Sequence, residues 1–232
     1  MDRDHLKRAA AQRAVEFVES GMIVGLGTGS TAGFVVEQLA ARVMRGLAVV
    51  AIPTSENTAA LARRLGIPLA SFAEQRRIDL AIDGADEVQR ATLDLIKGLG
   101  GALLREKIVA AASRRFIVVV DQEKLVDRLG EHAPVPVEVV QFGWQATAAA
   151  LAKLGADPEL RQTAGKPFVT DGGNFILDCH FGPLDDPPRI VRLIKMTVGV
   201  IESGLFIGRS SAVVVATDSG VDIMTGTGEK VR

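Results

Sequence analysis

Apolar residues in this chain fall by turns into short unbroken runs and into helical stripes, a pattern that predicts strands interleaved with helices. Leu6, Ala10, Ala14, Phe17 and Val18 share one helical face, with Asp2 or Asp4 as the cap and Gly21 as the stop. Met22–Leu26 then reads as a buried strand. A helix opening at Ser30 or Thr31 buries Val35, Val36, Leu39 and Val43. Leu47–Ile52 predicts the next strand, ended by Pro53. Ser55 suits the N-cap of a helix through Leu61 and Leu65, which stops at Gly66 and Pro68. Strand Asp79–Ile82, a helix from about Gly101 to Arg114 and strand Phe116–Val120 continue the series. Strands and helices at these intervals predict an α/β fold with a mostly parallel sheet covered on both faces.

The pattern changes near Gly130. A proline-punctuated stretch, His132–Val139, precedes a helix at Trp144–Leu154. Phe168–Thr170 and Asn174–His180 read as strands joined by Asp171-Gly172-Gly173, a hairpin signal. A helix at Pro187–Met196 and a strand at Val198–Phe206 complete a small α+β unit. Ala212–Ala216 and Val221–Met224 are strands able to return to the first sheet. The expected organisation is a sheet domain at 1–129 and 207–232, interrupted by an α+β insertion at 130–206.

Three apolar runs end in residues suited to a ligand. Ile23–Leu26 gives way to Gly27-Thr28-Gly29-Ser30-Thr31, where glycines admit an anion to the backbone and first-turn N–H groups and hydroxyls can donate to it. An ordinary tight turn with N-caps explains the segment equally well. No Lys stands before the last Ser/Thr, so this is not a Walker loop, and Ser30 replaces the third glycine of a dinucleotide fingerprint. Asp79–Ile82 gives way to Asp83-Gly84-Ala85-Asp86-Glu87, which could be turn and cap, sugar contact or a Mg²⁺ site. Leu95-Ile96 gives way to Lys97-Gly98-Leu99-Gly100-Gly101, a bend opening a helix on which Glu106 lies nearly opposite the Leu104, Ile108, Ala111 stripe. By composition Glu106 is a solvated surface glutamate; the alternative places it in a crevice near Lys97.

Composition narrows the classes. The 232 residues are 47% apolar with a net charge of −1, no Tyr and one Trp, so neither a basic field nor a base-stacking platform favours nucleic acid. Cys179 is alone, which excludes an internal disulfide and suits a reducing compartment. Met1–Arg8 is charged and lacks a signal-peptide core, and no apolar run reaches the ~20 residues of a membrane span. A cytoplasmic protein is expected. His5, His132 and His180 are scattered, and no G-x-S-x-G elbow occurs.

Gly25–Thr31, Asp83–Glu87, Lys97–Gly101 with Arg105-Glu106-Lys107, Asp121–Lys124, Pro134–Val139 and Thr170–Asn174, in this order and spacing, resemble ribose-5-phosphate isomerases of type A. Leu99 stands where some members have a third consecutive glycine. The resemblance implies a Rossmann-like sheet domain with a smaller inserted α+β lid, usually as a homodimer, and a metal-independent aldose–ketose isomerase without a cofactor. It makes Glu106 the base that carries a proton through an enediol, with Lys97, Asp83 and Asp86 opening the ring and stabilising the enediolate. It also implies substrate contacts from Thr28, Gly29, Ser30 and Thr31, from the Asp83, Gly84, Ala85 and Asp86 loop, and from Lys97, Gly98, Leu99 and Gly100. Lys124 and Lys7 complete the set. The rival readings are a sugar-phosphate sensor, an amino-sugar phosphate deaminase and a coenzyme A transferase.

Overall fold

The computed structural model describes residues 3–226 and 230–231. The chain begins α1 (Arg3–Val15), β1 (Ile23–Leu26), α2 (Ser30–Met44), β2 (Val50–Pro53), α3 (Glu56–Arg64) and β3 (Ile78–Asp83). Next come β4 (Glu87–Gln89), β5 (Leu95–Ile96), α4 (Leu103–Ala112), β6 (Ser113–Asp121), a 3-10 turn at Gln122–Lys124 and β7 (Leu125–Val126). The middle section is β8 (Val135–Val139), α5 (Trp144–Ala152), β9 (Asp157–Leu160), β10 (Gln162–Thr163), β11 (Lys166–Pro167) and β12 (Phe175–His180). It continues with α6 (Pro187–Lys195), β13 (Val200–Ser203) and β14 (Leu205–Phe206), after which β15 (Ala212–Thr217), β16 (Gly220–Thr225) and β17 (Lys230–Val231) come last.

The main sheet has the order β17-β16-β15-β6-β3-β1-β2. Its pairs from β2 to β15 are parallel, and β16 and β17 add antiparallel strands at one edge. Period-2 alternation splits each buried strand between two cores. Ile117 and Val119 face the layer of α1 and α2, while Phe116, Val118 and Val120 pack with Val109 of α4 and with Phe206. Each such side chain, fully buried, contributes roughly 1.5–3 kcal/mol. Strand β1 lies between β2 and β3, so strand order reverses there and a crevice opens at the carboxyl ends.

A second, antiparallel sheet has the order β13-β8-β12-β9, and a third small one runs β14-β5-β4-β7. Their shared core joins Val135, Val137 and Leu177 to Ile96, Val126 and Leu205.

Several elements depart from the sequence expectation. Helix α1 ends at Val15, because the chain tightens to three-residue bonds from Glu16, Phe17 and Val18 N–H. Phe17 and Val18 still pack into the core from that turn. Asp4 is inside the first helical turn instead of capping it, and Asp2 lies outside the described residues. Strand β2 begins only at Val50. Phe168–Thr170 is not a strand: β12 pairs with β8 and β9, although Gly173 and Thr170 N–H groups do close the expected turn. Val198–Phe206 is split at Gly204, where a Cβ would strike the Lys97 carbonyl, so β13 and β14 join different sheets. Ser55 caps α3 as expected, its hydroxyl accepting the Thr58 N–H at 3.1 Å.

Candidate active site

The loop after β1 is built around a carboxylate from β3. Asp83 Oδ1 accepts the N–H groups of Thr28 (3.1 Å) and Gly84 (2.7 Å), and a Cβ at Gly27 would collide with this carboxyl. Glycine at that position is therefore a packing requirement. Gly29 then takes φ 109° to turn the chain into α2. The Thr28 hydroxyl joins a hydroxyl cluster with Thr54 (2.7 Å), Ser55 (2.8 Å) and Thr58 (3.2 Å).

Lys97 follows β5, and its backbone N–H donates to the Gly204 carbonyl at 2.8 Å. The buried ammonium meets Asp83 Oδ2 at 3.0 Å, the Gly84 carbonyl at 2.6 Å and Glu106 Oε2 at 3.5 Å. The face of the Phe206 ring lies 5.6 Å away. Burial alone would pull the Lys97 pKa down, but the surrounding Asp83, Glu106 and Asp86 carboxylates outweigh it and hold it above the usual lysine range.

Glu106 is buried on α4 beside Leu103, Val109 and Ala110, and Ile108 is 47% exposed. The apolar stripe through Leu104, Ile108 and Ala111 is thus the outer side of this helix, and the glutamate is on the inner one. Its Oε2 accepts no hydrogen bond despite the nearby ammonium. Burial pushes the Glu106 carboxyl up to about 8; Lys97 pulls it down, and the Asp83 and Asp86 charges add to the rise. Burial likewise raises Asp83 against the pull of Lys97 and its two backbone donors. Two buried carboxyls thus share one ammonium.

A cavity of about 180 Å³ joins these groups to an anion cradle. Its inner end is lined by Gly84, Lys97 and Glu106; its outer end by Ser30, Thr31, Lys7 and Lys124. Lys7 reaches from α1 to donate to Ser30 Oγ at 3.2 Å. Two ammonium groups beside the N-terminus of α2 suit a phosphate. Thr28, Gly29, Ala85, Asp86, Gly98 and Gly100 complete the expected lining. Two expected contacts lie outside it. Asp83 sits behind Lys97, and Leu99 points its side chain outward at 43% exposure. Asp121 lines the cavity without having been singled out as a site residue, although it follows a buried strand just as Asp83 does. Its Oδ1 caps the 3-10 turn by accepting the Glu123 N–H at 3.1 Å. Glu87, adjacent in sequence to the acidic loop, turns away into the interior. Among the described residues no group of three or more His, Cys, Asp or Glu is placed to hold a metal ion.

Fold and site together define an α/β protein with a cavity that joins a buried carboxyl–ammonium pair to lysines and hydroxyls at a helix N-terminus. Residues 50–220 match the family model described as ribose 5-phosphate isomerase A (phosphoriboisomerase A). A curated relative from Gloeobacter violaceus, named ribose-5-phosphate isomerase A, is 61% identical over 97% of this chain and 98% of its own. A solved D-ribose-5-phosphate isomerase in complex with phospho-erythronic acid superposes with a TM-score of 0.94 at 41% identity, covering 97% of this chain and 100% of that one. The ribose 5-phosphate isomerase A structure from Methanocaldococcus jannaschii gives 0.92 at 40% identity, with 97% and 100% covered. The chain belongs to the ribose-5-phosphate isomerase A family.

Proposed function

We propose that this protein is an enzyme interconverting D-ribose 5-phosphate and D-ribulose 5-phosphate by proton transfer through an enediolate. One observation carries the chemistry: Glu106 presents a buried carboxylate oxygen, ion-paired with Lys97 at 3.5 Å but without a hydrogen bond, at the base of a cavity whose mouth suits a phosphate. Ionised Glu106 takes the proton from C2 of the open aldose, and the electron pair moves to the carbonyl oxygen at C1. Lys97 stabilises the oxyanion that forms. Glu106 then returns the proton to C1 while the proton of the C2 hydroxyl passes to the oxyanion at C1, leaving the ketone at C2, so no atom is gained or lost. A carboxylic acid poised near 8 is matched to a base working near neutrality.

Asp86, on the cavity wall, moves the hydroxyl proton that opens the furanose ring; Asp83 acts through Lys97, fixing the ammonium. Ser30, Thr31, Lys7 and Lys124 hold the phosphate, so its binding energy positions carbons several bonds away. The reaction needs no metal in this reading, because Lys97 occupies the place among the carboxylates that a cation would take. Residues 130–206 are assigned as the lid, the working form as a homodimer and the compartment as the cytoplasm. Membership of the isomerase family does not favour the sensor, deaminase or transferase alternatives. The test is direct: metal-stripped protein in EDTA should form ketopentose phosphate from ribose 5-phosphate. No product under any condition would end the proposal, and product only after adding Mg²⁺ would end its metal-free form.

A further inference from the structure

Arg161, immediately after β9 and far from the cavity in sequence, grips the bend that carries Lys97. Its Nη1 donates to the Gly98 carbonyl at 2.8 Å and the Leu99 carbonyl at 3.1 Å. Asp178 on β12 anchors the same guanidinium, accepting from Nε at 2.9 Å and pairing with Nη2. The short segment that follows also leans on the bend. Phe168 places its ring where a Cβ on Gly101 would stand, and its N–H returns to the Arg161 carbonyl at 2.9 Å.

The chain contains no cis peptide among the described residues, and in a trans peptide each carbonyl opposes the N–H of the following residue. With the Gly98 carbonyl on Arg161, the Leu99 N–H must point the other way, and it does, donating to Asp86 Oδ2 at 2.9 Å. With the Leu99 carbonyl also on Arg161, the Gly100 N–H points away from the guanidinium too. Gly100 lines the cavity, and the outward Leu99 side chain does not.

We propose that Arg161 is a positioning residue for the isomerisation: by holding two carbonyls of the Gly98–Gly100 bend, it aims the Gly100 N–H at the substrate oxygen that gains charge. It touches neither substrate nor reacting atoms, and a planar fork serves where an ammonium would not, because it must hold a carboxylate and two carbonyls at once. The inference rests on the isomerase reading above.

The test compares wild type, Arg161→Ala and Arg161→Lys, with thermal melts run alongside. For Arg161→Ala, kcat for ribose 5-phosphate should fall about 10- to 100-fold, the scale of a displaced oxyanion donor, with KM within about twofold. Affinity for phospho-erythronic acid, whose carboxylate imitates the enediolate, should weaken by a similar factor, and inhibition by inorganic phosphate should not change. Added guanidinium ion should restore part of kcat, which repair of a merely structural loss would not do. Should Arg161→Ala fail to fold, Arg161→Lys decides, with kcat down about fivefold or more in a folded protein. A loss confined to KM, or a folded Lys variant with full kcat, overturns the inference. A wild type that never converts ribose 5-phosphate overturns the isomerase reading beneath it.

Discussion

Glu87 and Glu106 are both buried, at 1% and 3% exposure, and both sit within two elements of the same crevice, yet their surroundings are opposite. The Glu87 carboxylate accepts three backbone N–H groups, from Gly130 at 2.6 Å, His132 at 2.6 Å and Ala133 at 2.7 Å. Together these bonds fix the turn that leads into the second sheet. Glu106 has one oxygen with no hydrogen bond and an ammonium just beyond good geometry. A carboxylate whose acceptor sites are filled has nothing left to offer a substrate. One left buried and under-satisfied is raised in energy when ionised, and it gains by taking a proton. Satisfaction, more than burial, separates an anchor from a base.

The largest expected effect breaks this contrast on the chemical side. Glu106→Gln removes the base while keeping shape, so kcat should drop by about 10²- to 10⁴-fold with ribose 5-phosphate binding retained. Steady-state kinetics beside a binding measurement checks this, and near-normal turnover would take Glu106 out of its role. The same base sets the pH profile: kcat/KM should climb as pH rises towards about 8, where the free carboxyl ionises.

On the structural side the reverse holds. Glu87→Gln leaves at least one of three buried backbone donors with a poor acceptor and removes the charge from all of them, which should cost roughly 2–3 kcal/mol. Denaturant unfolding would read it, and the folded fraction should turn over with unchanged kcat. A kcat loss matching that of Glu106→Gln would erase the distinction drawn here.

How much of this could be read from the sequence follows the same line. The alternation of strands and helices was visible because the main sheet is parallel and buried on both faces, so Phe116–Val120 and Leu80–Ile82 are plain apolar runs. The anion loop, the Lys97 bend and the capping Ser55 were legible because local backbone demands glycine or a hydroxyl there. Glu106 was not, on residues alone. Its helix exposes Ile108 and buries a carboxylate, so periodicity pointed the wrong way and only the resemblance placed it. Phe168–Thr170 was misread as a strand because Phe168 serves a loop distant in sequence. Arg161 and Phe206 reach the site from across the fold and carry no local signal at all.

A finer consequence concerns stability against pH. The folded pKa of Glu106, about 8, lies above the ordinary 4.5, so between those values the folded state holds more protons than the unfolded one. Stability from this group is therefore complete below about pH 4.5 and is lost as pH rises towards 8. Asp83, also raised, acts with the same sign. Gln at 106 cannot ionise, so the Tm of Glu106→Gln minus that of wild type should widen from pH 5 to pH 8 and level off above it. A flat difference for Glu106→Gln would mean that the carboxyl is already ionised at pH 5, with Lys97 winning over burial.

The smallest effect belongs to the far end of the cavity. Ser30 and Thr31 each offer a hydroxyl at the N-terminus of α2, but Lys7, Lys124 and the helix N–H groups remain when both are removed. Two neutral hydrogen bonds at about 0.5–1.5 kcal/mol each set the scale. Ser30→Ala with Thr31→Ala should thus raise KM for ribose 5-phosphate roughly 5- to 150-fold and leave kcat within a few fold. That split tests the proposed division of labour, in which the hydroxyls hold the phosphate and Glu106 meets the reacting carbons. An unchanged KM would move the phosphate elsewhere, and a kcat loss equal to the KM rise would show that the phosphate grip is felt mainly in the transition state.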